Sequence, residues 1–431
     1  MYFQQDIETM PRQRLERLQL ERLRWVIEYC YKNNVFYYKR LSAAHITASK
    51  IKQLSDVQYI PFTTKNDIRD NYPFGLFSVP QKKIVRLHAS SGTTGKPTVV
   101  GYTRRDLENW SDCVARFCVS VGVTDEDVAQ ISFGYGMFTG ALGLHYGLEK
   151  IGCTVIPVSS GNTEKQIMFI RDLNPTVLAS TPSYAMYLSE ALHQLEEPPK
   201  KLQLRIGLFG SEGCTPALRE KIESTLGVFA TDNYGISELI GPGVAGECQQ
   251  RSGLHIAEDH FLPEIIDSLT GGIKPIGETG ELVITTLTKE GIPLLRYRTG
   301  DITRLDTEPC PCGRTNIRMD KIKGRSDDMI KIRGVKIFPS QIESVLLGTL
   351  GVGSSYELVL TRHNYTDQLK IRVETIIDLI SKEEIQTLCR KLTDKLKTVL
   401  GITIELELLK PGTLRRFEGK AKRIVDLRSE T

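Results

Sequence analysis

The chain has 431 residues, of which 40% are hydrophobic and 25% charged, with a net charge of +4. That composition is ordinary for a globular protein, the length allows roughly two to four structural units, and the small charge gives no argument for a nucleic-acid partner. No stretch of about 18 apolar residues occurs, so no membrane-spanning helix is expected. Met1–Arg14 carries both charge signs and lacks the basic start and apolar stretch of a secretory signal, which leaves the cytoplasm as the expected compartment.

In chain order, leucines at 15, 18 and 23 followed by Val26, Ile27 and Cys30 predict an amphipathic helix over Pro11–Asn33. A second helical unit is expected to end before Pro61. From Val128 the pattern alternates. Strands are predicted at Val128–Phe133, Thr154–Val158, Thr176–Ala179 and Leu204–Phe209. Helices are predicted at Ala141–Lys150, Glu164–Leu173, Pro182–Leu195 and Pro216–Leu226. Short apolar strands between amphipathic helices indicate α/β architecture, with parallel sheets covered on both faces. Ligands then bind at the carboxyl ends of the strands, which directs attention to the turns after Phe133 and Phe209 and to the Tyr234 loop. Leu282–Thr286, Arg296–Tyr297 and Ile302–Leu305 predict a small β unit. Ser340 with Glu343 and Ser381 with Glu384 read as capping boxes. The second opens a helix with Ile385, Leu388, Leu392, Leu396 and Val399 on one face. With strands at Tyr356–Leu360, Leu369–Thr375 and Ile402–Leu408, this makes a smaller α+β C-terminal domain. The expected division is 1–326, including a helical region over 1–60, and 327–431, joined by a polar linker at Lys323–Asp328 suited to a hinge.

Ser90-Ser91-Gly92-Thr93-Thr94-Gly95-Lys96-Pro97 can bind phosphate. Glycines admit an anion close to the backbone, hydroxyls and amides donate, and the lysine supplies charge. It is not a Walker motif, since Pro97 stands where Ser or Thr is needed, and alone it reads first as a flexible turn. At Asp232–Glu238, Tyr234 can stack on a base and Glu238 can ligate magnesium. In Tyr297-Arg298-Thr299-Gly300-Asp301 the carboxylate can accept from both ribose hydroxyls or satisfy its own turn. Gly419-Lys420-Ala421-Lys422-Arg423 is a basic segment that also suits a solvated tail.

Their order along the chain resembles the adenylate-forming superfamily of acyl-CoA synthetases, peptide-synthetase adenylation domains and luciferases. Pro61–Lys65, Asp70–Phe77, His88–Tyr102, Phe133–Gly140, Gly253–His255, Glu258–Phe261 and Gly324–Pro339 look more narrowly like the phenylacetate–CoA ligase family, over almost the whole chain. That resemblance implies an aromatic-acid ligase using ATP, Mg2+ and coenzyme A, with no nucleic-acid or membrane partner, working as a homodimer.

The resemblance also implies roles. Ser91, Gly92, Thr93, Thr94 and Lys96 hold the ATP phosphates. Adenine lies between Ser211-Glu212 and Tyr234-Gly235, with Ser237 nearby. Asp301 and Arg325 contact the ribose, and Glu238 ligates magnesium. Lys420 meets both reactants during adenylation, with Lys422 as the fallback, so that Lys420, Glu238 and Thr94 form the catalytic set. Asp327 is the hinge of a mobile C-terminal domain, and Arg333 and Gly334 approach coenzyme A. Tyr135, Phe138, Thr139, Gly140 and Ile236 line the acyl pocket, although Tyr135 and Phe138 also suit sheet-edge core packing.

The chain has nine cysteines, an odd number, which argues against a disulfide framework and fits a reducing compartment. Cys30, Cys113, Cys118, Cys153, Cys214 and Cys389 read as small core residues. Cys248, His255, Cys310 and Cys312 suit a structural zinc site, with His260 competing for the histidine position and unpaired thiols as the other reading. Competing functions keep the same fold: a ligase for indoleacetate or benzoate-like acids, adenylation of a deazaflavin cofactor without coenzyme A, or a non-catalytic nucleotide-binding protein.

Overall fold

The computed structural model describes residues 1–90, 97–195, 202–325, 330–332, 335–363, 366–376, 381–417 and 423–428. The chain opens on the short helix Gln5–Glu8 and the long helix Arg12–Asn33. The long helix buries Leu15, Leu23, Val26, Ile27 and Cys30. It also buries Gln19, whose amide donates to the Glu258 carbonyl at 3.0 Å. Asn34, in extended conformation, ends this helix and caps the next, Val35–Ala43, by accepting from the Tyr37 amide. Two short 3-10 turns follow before Pro61. This helical layer closes over Leu262, Leu287 and Leu295.

The central sheet has nine strands. From Phe229–Tyr234 through Ile206–Phe209, Val177–Ser180 and Val128–Ile131 to Thr154–Ile156 every pairing is parallel. Helices Gly140–Ile151, Thr163–Leu173, Pro182–His193 and Pro216–Leu226 make the crossovers. Val177–Ser180 and Ile206–Phe209 are buried throughout, as strands covered on both faces are. Two predicted strands run too long at their C-terminal ends, and Leu204–Phe209 begins two residues late, at Ile206. Ser132 and Phe133 lie past the end of theirs, and Thr154–Ile156 stops ahead of Pro157, which has no N–H to donate.

Beyond Tyr234 the sheet continues antiparallel through Ala245–Glu247, Leu254–Ile256, Arg318–Met319 and Leu305–Asp306. A second sheet of four antiparallel strands comprises Phe261–Ile266, Gly280–Thr286, Tyr297–Thr303 and Gly324–Arg325. The α/β expectation holds, and the small β unit expected after the parallel strands is the second, antiparallel sheet, while the central sheet is extended by antiparallel strands and so is mixed. Short connections such as 235–244 are too brief for a crossover helix.

Residues 330–424 contribute a separate apolar core. There the helix Lys382–Leu400 buries Leu392, Leu396 and Leu400, whereas Val399 is 48% exposed and Ile385 39%. The apolar stripe drifts by one residue over the helix. The Ser381–Glu384 capping box is present. The one at Ser340 is not: Phe338 is the cap, its amide donates to the Gln341 side chain at 2.9 Å, and Ser340 bonds the Lys323 carbonyl instead.

Candidate active site

The hairpin Arg86–Ala89 with Val99–Tyr102 holds both ends of the Ser/Thr/Gly segment. The Ser90 amide donates to the Thr98 carbonyl at 3.1 Å, and their hydroxyls share a second bond. Ser91, Gly92, Thr93, Thr94 and Lys96 lie outside the described residues, as do Asp327, Arg333, Gly334, Lys420 and Lys422. Thr98 carries the hairpin to the next feature, since its hydroxyl donates to Glu238 Oε1 at 3.3 Å.

Glu238 belongs to a turn that starts where Phe229–Tyr234 leaves the sheet. Gly235 is demanded there: a Cβ would stand 1.5 Å from the Gly241 carbonyl oxygen. The Leu239 and Gly241 amides both donate to the Ile236 carbonyl. Tyr102 Oη donates to the Ser237 carbonyl at 3.2 Å. The Ser237 hydroxyl lies 3.3 Å from that of Thr139. The buried Glu238 carboxylate meets only the Thr98 hydroxyl and, 3.9 Å away, the Lys65 ammonium among the described residues. Acceptor positions remain on it, so it fits a hard divalent cation.

Tyr234, Asp301 and Arg325 come together from three separate strands. Tyr234 Oη donates to Asp301 Oδ2 at 2.6 Å, and Arg325 Nη1 donates to Asp301 Oδ1 at 3.0 Å. Strand pairing sets the second contact, since Asp301 and Arg325 are direct register partners. Tyr234 and Asp301 are both buried. Burial and the facing carboxylate push the Tyr234 phenol well up, which keeps it a donor. Tyr234 thus orients Asp301, a duty its sequence context does not show.

The other expected nucleotide residues follow the carboxyl end of the Ile206–Phe209 strand. Ser211 has a left-handed backbone. Glu212 accepts from the Ser183 hydroxyl at 2.6 Å, at the start of the helix Pro182–His193. Of the expected acyl-pocket residues, Tyr135 is half-buried with its hydroxyl 3.0 Å from His145 Nδ1. Thr139 is buried, Gly140 begins a helix and Ile236 packs on the main core. Phe138 is 53% exposed, so core packing does not account for it.

Lys65, Thr98 and Tyr102 surround Glu238 although no motif assigns them a role. His88 is another such residue. It is buried, and its Nδ1 must carry a proton because it faces the Met137 carbonyl at 3.0 Å. The Ala89 amide reaches the same carbonyl, so this hairpin and the Phe133–Gly140 segment are tied together. Desolvation holds the His88 pKa low, and the imidazole stays neutral.

A second cluster joins Cys248, His255, Cys310 and Cys312, whose ligand atoms lie within 4.8 Å of one another. The Cys248 and Cys310 sulfurs are 3.7 Å apart, and Cys312 Sγ is 3.4 Å from His255 Nε2. Tetrahedral zinc with bonds of about 2.3 Å to sulfur and 2.0 Å to nitrogen sets ligands roughly 3.8 and 3.5 Å apart, whereas a disulfide needs about 2.05 Å. The donor set fits a closed structural site. His260 takes no part: Thr288 and Asp259 hold its two nitrogens.

An adenylate-forming site is the class this arrangement matches, with a phosphate-type hairpin, an acidic turn and a Tyr–Asp–Arg constellation at the carboxyl end of the Phe229–Tyr234 strand. The chain belongs to the AMP-binding enzyme family, whose model matches residues 16–288, with the AMP-binding enzyme C-terminal domain over 334–428. Within it, the chain is 45% identical to a phenylacetate-coenzyme A ligase of Thermus thermophilus, covering 99% of this chain and 100% of that protein. It is 46% identical to the ligase of that name from Pseudomonas putida, over 98% and 96%. Among solved structures, it superposes on 2-hydroxyisobutyryl-CoA ligase in its postadenylation state with a TM-score of 0.92, at 27% identity, covering 100% of this chain and 93% of that one. Against that ligase in its thioesterification state the TM-score is 0.73, at 28% identity, over 99% and 92%. Because the ligase compared is the same, the difference lies in its conformation.

Proposed function

We propose that this chain is an ATP-dependent ligase that activates an aromatic carboxylic acid, phenylacetate first, and transfers the acyl group to coenzyme A. The observation that carries the reading is the full-length likeness to phenylacetate-coenzyme A ligases. The carboxylate oxygen attacks the α-phosphorus of ATP and pyrophosphate leaves. The thiol of coenzyme A then attacks the acyl carbon and AMP leaves.

Charge grows on phosphate oxygens in the first step, so fixed donors and cations accelerate it. Ser91–Lys96 would hold the phosphates, with Thr94 among the catalytic residues, and Asp301 and Arg325 the ribose. Ser211, Glu212, Tyr234, Gly235 and Ser237 would frame the adenine. Lys420 would bring one positive charge to both reactants. Glu238 would hold Mg2+, which neutralises phosphate charge when bound. Tyr135, Phe138, Thr139, Gly140 and Ile236 would receive the aryl group.

The unit 327–431 would turn about Asp327 between the two steps and bring Arg333 and Gly334 to coenzyme A. The two states of the compared ligase support such a motion. The cysteine–histidine cluster would hold zinc as a structural clip. Family resemblance supports a homodimer in the cytoplasm.

The test is AMP release by purified protein across aryl acids, with and without coenzyme A. Phenylacetate-dependent release that rises with coenzyme A is the expected result. Release independent of coenzyme A would favour another acceptor, and no release with any acid would favour a binding protein.

A further inference from the structure

Lys289 is a cation buried in the protein interior at 4% exposure. Among the described residues no carboxylate oxygen lies within 4.0 Å of its ammonium. It donates instead to two consecutive main-chain carbonyls, that of Glu238 at 3.0 Å and that of Leu239. The Tyr102 ring lies 4.7 Å away. Desolvation lowers its pKa to about 8, with Asp106 and Glu238 opposing. Burying a cation on neutral partners is costly, and an apolar side chain of similar length would fill the space without that cost.

The loop carrying Lys289 is itself braced. Asp106 accepts from the Glu290 amide at 2.7 Å and from the Gly291 amide at 2.9 Å. Thr103 donates to the Glu290 carboxylate at 3.0 Å. Asp106 also accepts from the amide of Thr103, the N-cap of the helix Arg104–Ser120, at 2.9 Å and so closes its capping box. A chain of contacts therefore runs from that helix, through the loop, to the backbone of Glu238. On the other side the Glu238 carboxylate meets Thr98 of the phosphate-type hairpin.

We infer that Lys289 is a positioning residue for acid activation: by holding the carbonyls of Glu238 and Leu239, it fixes where the Glu238 carboxylate stands against Thr98 and so where a divalent cation is presented to ATP. The inference rests on the metal role proposed above for Glu238.

The experiment compares Lys289→Met, Lys289→Arg and Glu238→Gln in the full chain. Acid-dependent ATP–pyrophosphate exchange is titrated with Mg2+, and thioester formation is measured from preformed acyl-adenylate. Losing a hydrogen bond to a charged group lowers exchange in Lys289→Met about 30-fold, and the half-saturating Mg2+ concentration rises by about fivefold or more. Thioester formation falls less than about threefold. Lys289→Arg, which keeps charge and donors, restores exchange to within about fivefold of wild type.

In the Glu238→Gln background, Lys289→Met adds no further loss, because both act through one carboxylate. Equal losses in both half-reactions, an unchanged Mg2+ response or additive losses would overturn the inference. A Glu238→Gln enzyme with an unchanged Mg2+ response overturns the metal role itself and the inference with it, and needs no Lys289 variant to show. If Lys289→Met does not fold, Lys289→Gln is read on the same titration.

Discussion

Replacing Tyr234 with Phe keeps the ring and removes one donor. The Oη–Oδ2 distance of 2.6 Å to Asp301, with both residues buried, marks a strong charge-assisted bond. Such bonds contribute roughly 1.5–3 kcal/mol. Asp301 keeps Arg325 as partner and loses the donor at Oδ2. If Asp301 binds the ribose, that energy sits in nucleotide binding, equally in ground and transition states. The KM for ATP in pyrophosphate exchange then rises by about tenfold to a hundredfold, at 1.4 kcal/mol per tenfold, while kcat changes little. The urea midpoint falls in parallel, because one buried charge-assisted bond is lost. A KM within about twofold of wild type, with an unchanged urea midpoint, would refute the reasoning. Tyr234 would then act through its ring alone.

Other perturbations probe different parts of the molecule. Gly235→Ala places a methyl 1.5 Å from the Gly241 carbonyl oxygen, so the turn bearing Glu238 must shift; exchange should fall more than about 100-fold and stability by about 3 kcal/mol or more, and a tenth of wild-type activity would show a compliant turn. Lys420→Ala should abolish most acid-dependent exchange yet spare thioester formation from preformed acyl-adenylate, and matched losses would remove its assigned role. Tag-free protein should contain about one zinc per chain and lose thermal stability on chelation, whereas less than about one-tenth zinc rejects the clip. Asp232 is pushed up to about 7 by burial, against the attraction of Lys321. Its folded value exceeds its unfolded one, so the folded state holds the proton longer and stability falls as pH rises from about 4 to about 7. Asp232→Asn should flatten that segment of the urea-stability profile, by an amount on the order of a few kcal/mol; parallel wild-type and variant profiles would show that burial does not hold the proton there.

The helices and parallel strands over 128–226 are legible because each repeats one apolar period between Gly and Pro stops. The antiparallel half is less so: Ala245–Glu247 and Arg318–Met319 are too short to carry a period, and only their partners define them. The same limit hid the true cap at Phe338, since Ser340 offers a plausible hydroxyl but is engaged by Lys323.

What each segment offers was legible by itself: hydroxyls and a cation in the Ser/Thr/Gly loop, carboxylates at Glu238 and Asp301, and thiols in the cysteine pair, each of which taken alone suits an ordinary turn or unpaired side chains equally. Their mutual placement was not. The Asp301–Arg325 contact follows from strand register, the Tyr234 bond from a phenol crossing between sheets, and Lys289 and Thr98 reach Glu238 from 51 and 140 residues away. The four zinc-type ligands, already grouped by residue type, come from the connection after Ala245–Glu247, the Leu254–Ile256 strand and the connection between Leu305–Asp306 and Arg318–Met319. Residue type sets which bonds a group can make, but only the packed backbone decides which partner stands within hydrogen-bonding distance.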